Sequence, residues 1–78
     1  MANVLGEKRF IAVWRDGTSD PGIVSWIVSE ETIYPGQEVA DDTETLRVCE
    51  TYAEAIRRGR AIASKRGLPL RDEIEGRL

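Results

Sequence analysis

Residues 50–69 carry both ends of a helix and the period between them. Thr51 followed by Glu54 is a capping box: hydroxyl and carboxylate can each accept one of the first-turn N–H groups that lack a helical partner. At the other end, Gly67 suits the left-handed residue that closes a helix, Leu68 is the usual apolar neighbour, and Pro69 forbids continuation. Tyr52, Ala55, Ile56, Gly59, Ile62 and Ala63 fall on one stripe at helical spacing. The spacing predicts a helix over residues 52–66, and its single apolar face needs a sheet to lie on.

The sheet has to come from upstream. Residues 9–15 form a β-branched and aromatic run bounded by charge, which reads as a strand. Residues 16–22 are almost all turn formers. Residues 23–29 read as a second strand, with Val24, Trp26 and Val28 on one face, so an antiparallel hairpin is expected. From Glu30 to Thr45 the chain is turn-rich and acidic, with Glu30, Glu31, Glu38, Asp41, Asp42 and Glu44 and no basic residue. Within it, Tyr34-Pro35-Gly36-Gln37 fits a type II turn, and a short strand around residues 32–34 or 37–40 is weakly signalled. Residues 46–49 read as a third strand with Leu46 and Val48 sharing a face. Residues 1–7 are expected to fray, and residues 70–78 to form a short helix in preference to an edge strand. The expected fold class is α+β: a three-stranded antiparallel meander covered on one face by one helix, with a short tail, in a single domain over residues 1–78.

One helix covers one face only, whereas the first strand is apolar on both. Ile11 and Val13 point one way; Phe10, Ala12 and Trp14 point the other. Burying a side chain as large as Trp14 contributes about 1.5–3 kcal/mol. A chain of 78 residues has little core to spare. The second face is therefore expected to be covered by the tail or by another copy of the chain, unless Trp14 lies half exposed at an edge. A twofold homodimer is the preferred expectation. Gly59, in mid-stripe, suggests close approach of the helix to a bulky residue below, with Trp26 the candidate.

The chain has no histidine, which removes the commonest general base and metal ligand near neutral pH. Its one cysteine, Cys49, lacks a histidine to activate it and reads as a small buried or edge residue in preference to a reactive thiol. Asp41, Asp42 and Glu44 do not follow a calcium-loop pattern, and Gly17 and Gly22 flank a turn, not a phosphate-binding helix start. No enzymatic activity, cofactor or metal is expected. Net charge of −3 weighs against general affinity for nucleic acid. The lone cysteine implies a reducing compartment, and there is neither a membrane-length apolar run nor a signal-peptide layout. A cytoplasmic protein is expected.

Charge is segregated: Arg57, Arg58, Arg60, Lys65 and Arg66 crowd the helix, which carries no acid after Glu54. These cations are either a solvated outer face or, for Arg57, Arg58 and Lys65 with Arg60 as a further candidate, a patch for phosphates or an acidic partner.

Two resemblances bear on this. Residues 25–28, Ser-Trp-Ile-Val, with Thr51-Tyr52-Ala53-Glu54-Ala55-Ile56 and residues 60–63, resemble a bacterial family of small domains of unknown function. That family has a G-W-x-V strand before a T-x-x-E-A-I helix; this chain lacks the glycine before Trp26 and has a longer middle loop. The resemblance implies a sheet-plus-helix fold and no activity. Tyr34-Pro35-Gly36 with residues 51–55 is similar to antitoxin-like β-β-β-α domains, which implies a dimeric, partner-binding regulator. The expected function is a non-enzymatic protein-interaction module of bacterial or phage origin, homodimeric or partner-bound, with Phe10, Trp14, Arg57, Arg58 and Lys65 as candidate contact residues. The alternative is a nucleic-acid-binding domain using the basic helix face.

Overall fold

A computed structural model describes residues 6–16 and 25–73. The helix α1 (Tyr52–Arg66) has the expected bounds. The Glu54 N–H donates to Thr51 Oγ1 at 3.1 Å. The second half of the capping box is replaced: the Glu54 carboxylate accepts from Arg58 Nε, one turn on, at 3.1 Å. Gly67 adopts φ 69°, ψ 33°, and the Leu68 N–H reaches back to the Ala63 carbonyl at 2.9 Å, closing the last turn.

Three strands precede the helix: β1 (Lys8–Asp16), β2 (Ser25–Ile33) and β3 (Asp42–Cys49). β1–β2 and β2–β3 are antiparallel, as expected of a meander. The turn residues 17–22 and the predicted strand start at Ile23 and Val24 lie outside the described residues, as do most of residues 1–7. β2 and β3 extend well into the stretch expected to be turns and loop. Between them the Gln37 N–H donates to the Tyr34 carbonyl at 3.1 Å, with Gly36 at φ 86°, the type II turn anticipated there. The Tyr34 hydroxyl donates to Asp42 at 3.0 Å, tying the turn to the start of β3.

The tail corrects the expectation of a final short helix. Residues Leu70–Asp72 form a fourth strand, β4, parallel to β1, and the sheet order is β3-β2-β1-β4. The reason is local to β1, whose outer edge offers unpaired groups: Ile11 N–H donates to the Pro69 carbonyl at 2.9 Å, and Glu73 N–H to the Val13 carbonyl at 3.0 Å. The fold is thus α+β with a mixed four-stranded sheet and one helix packed on it. Residues 74–78 of the expected tail lie outside the described residues.

The core lies between α1 and one sheet face. Ile11, Val13, Val28, Cys49, Ala55 and Ala63 are buried there, with Trp26, Leu46, Tyr52, Ile56, Ile62, Leu68 and Leu70 packed around them. A Cβ on Gly59 would come within 3.0 Å of Val13 Cγ2 and 3.2 Å of Leu70 Cδ1. The close approach expected at Gly59 is present, but against Val13 and Leu70 and not Trp26. Trp26 instead meets the Tyr52 ring edge-on, centroids 5.4 Å apart.

The third strand needs a second correction. Leu46 and Val48 do not share a face. Val28 pairs with Arg47 but Ser29 with Thr45, so the register slips and Leu46 is the extra residue, as in a β-bulge. Leu46 packs against the core, whereas Val48 is 63% exposed.

Candidate functional site

Three surfaces carry the side chains singled out from the sequence. The first is the sheet face away from α1. Pairing of Phe10 with Glu31, Ala12 with Ser29 and Trp14 with Ile27 puts all six residues on it. Phe10, Ala12, Ile27 and Ser29 are buried within the single chain, so this face is not the bare apolar surface that the strand pattern suggests. Part of the reason is polar. The fully buried Ser29 hydroxyl accepts from Trp14 Nε1 at 3.1 Å and donates to Glu31 at 3.0 Å, giving both lone pair and proton a partner. The Arg71 guanidinium lies over the Phe10 ring, 4.4 Å from its centroid. Phe10, at 5% exposure, therefore offers little free surface, whereas Trp14 is only half-buried.

Beside Trp14 the same face opens into a hollow of about 540 Å³, walled by Phe10, Trp14, Ile33, Val39 and Ala40, with Arg71 and the carboxylates of Glu31, Glu38 and Glu73 making it as polar as it is apolar. Val39 is 74% exposed. Sequence reasoning missed it; a lone valine in an otherwise acidic loop was the available signal.

The second surface is the outer face of α1. Arg57, Arg58 and Lys65 are all exposed there, as their helical positions require. Arg58 is held by Glu54 in an i,i+4 ion pair. Arg66 turns toward the sheet and pairs with Glu30, which also has Arg9 at 3.9 Å. The five helix cations therefore do not act as one patch.

The third surface is a groove of about 480 Å³ between α1 and β3, with Leu46 and Ile62 along it and Arg47, Lys65 and Arg66 beside them. Arg47 was not among the residues anticipated, because its neighbour on the helix is set by the bulge.

Cys49 is buried at the end of β3, and burial pushes its thiol pKa up, with the Glu54 charge adding to the effect. Among the described residues no group of carboxylates and cysteine is placed to hold a metal ion. No helix among them is long and apolar enough to cross a membrane.

The fold and these surfaces define a small α+β domain with one helix on a mixed sheet. Compared with known protein families, curated proteins and solved structures, the chain matches none of them.

Proposed function

We propose that the chain is a small non-enzymatic protein-interaction module that works by presenting a surface to a second copy of itself or to a regulatory partner. The hollow beside Trp14 carries this reading. It is a concavity of mixed lining on the sheet face opposite the helix, in which Trp14, Ile33 and the exposed Val39 supply the apolar wall and Arg71 with Glu31, Glu38 and Glu73 the polar one. An exposed aliphatic wall next to a half-buried indole gains free energy when a complementary surface excludes water, at roughly 25 cal/mol per Å² of apolar area covered. A twofold pairing of this face on itself is the form preferred here.

Light scattering over a concentration series tests it. The wild-type chain is expected to run as a dimer at high concentration, and Val39→Glu to run as a monomer that melts like the wild type diluted to its monomer, because Val39 contributes little to the monomer core. A strict monomer for the wild type removes the homodimer form. An unaltered dimer in Val39→Glu removes this face.

A further inference from the structure

We propose that the groove between α1 and β3 receives an extended acidic peptide, which adds to the open edge of β3, sets an apolar side chain between Leu46 and Ile62, and brings a carboxylate to Arg47 and Lys65. It rests on the reading of the chain as an interaction module, but it concerns a different surface from the Trp14 hollow.

Three observations support it. β3 is the outermost strand of the sheet, paired among the described residues with β2 alone. Its far side thus presents main-chain donors and acceptors that a further strand can satisfy. Next, the slip in register turns Leu46 toward the helix, where it joins Ile62 in an apolar slot directly beside that edge. Lastly, every charged side chain lining the slot is a cation, in a chain whose net charge is −3. Arg66 is engaged by Glu30. Arg47 donates to the neighbouring Leu46 carbonyl, and among the described residues neither it nor Lys65 has a carboxylate within ion-pair distance. The charge complement of the slot is therefore acidic.

The same strand sets a direction. Its first half bears Asp42 and Glu44, which repel an acidic peptide, and its second half bears Arg47. The carboxylates of the peptide belong at the Arg47 end, and neutral or basic residues at the Asp42 end. Apolar contact plus main-chain pairing supplies affinity, and the two cations choose the sequence.

The test is selection of random decapeptides displayed on phage against the full chain, with Arg47→Glu/Lys65→Glu as the counter-target. Both residues are exposed, so the double variant is expected to keep the wild-type melting temperature. Peptides enriched on the wild type should carry an aliphatic or aromatic residue next to Asp or Glu. They should bind the double variant at least tenfold more weakly by fluorescence anisotropy, and slow hydrogen exchange at β3 amides on binding. Selection without an acidic bias, or equal binding to the double variant, overturns the proposal. So does a random single-stranded oligonucleotide that competes for the same slot more strongly than any selected peptide. Repeating the assay in Val39→Glu separates the two readings: peptide binding that persists in a monomeric variant belongs to the groove, whereas binding lost in Val39→Glu belongs to the Trp14 face and overturns the proposal.

Discussion

Single residues decide more here than their size suggests. Gly59 has no side chain because Val13 and Leu70 already occupy the space where a Cβ would sit. Gly59→Leu is expected to lower stability by about 1–3 kcal/mol through overpacking, read as a reduced urea midpoint with an unchanged slope. A variant that melts like the wild type would show that the helix is not seated on those two residues. Cys49 offers a second check. Its buried thiol should react with a thiol-specific disulfide reagent far more slowly in the folded chain than in denaturant. The folded chain holds this proton to higher pH than the unfolded chain does. The associated stability is thus complete below the unfolded thiol pKa and declines as pH rises past it. Burial at Cys49 was legible from its place at the end of an apolar run. The crowding at Gly59 was legible too, although its neighbours were not, because Val13 is far away in sequence and Leu70 sits on a strand that the tail pattern does not favour.

At the scale of elements, α1 was the most legible, since its start, period and stop are all set by residues within a few positions of one another. Thr51→Ala removes the hydroxyl that caps the Glu54 N–H and is expected to cost about 1 kcal/mol, measured by chemical denaturation. No loss would mean that Glu54 or solvent caps equally well. The strands were less legible at their ends. β2 and β3 run through Glu30, Glu31, Asp42 and Glu44, residues that weigh against a strand by propensity and yet complete an antiparallel ladder. Alternation also failed for Leu46 and Val48, because it assumes an unbroken pleat and the register slips between them. β4 was the alternative to the favoured short helix, and it ranked second for a different reason. Three residues carry too short a pattern to announce a strand, and it forms because β1 offers a free edge.

For the whole molecule, the separation of charge has a measurable consequence. The helix cations are divided: Arg58 is paired with Glu54 and Arg66 with Glu30, which leaves Arg57, Arg60 and Lys65 too few for tight hold on a phosphate backbone. Random duplex DNA is therefore expected to show no retardation in a gel shift, even at low salt. Retardation that fades steeply with added salt would restore the nucleic-acid reading. Of the candidate contact residues, Trp14 and the buried Phe10 line the hollow and Lys65 lines the groove beside β3; their exposure was not legible, because Arg71 and loop residues distant in sequence set it. By itself the sequence determined the helix with both its ends, the type II turn and the antiparallel order of the first three strands, all of which depend on neighbours close along the chain. Only the tertiary structure decided which apolar residues stay exposed, where the register slips, and that the tail joins the sheet in parallel. Those outcomes turn on the competition of distant groups for the same edge and the same space.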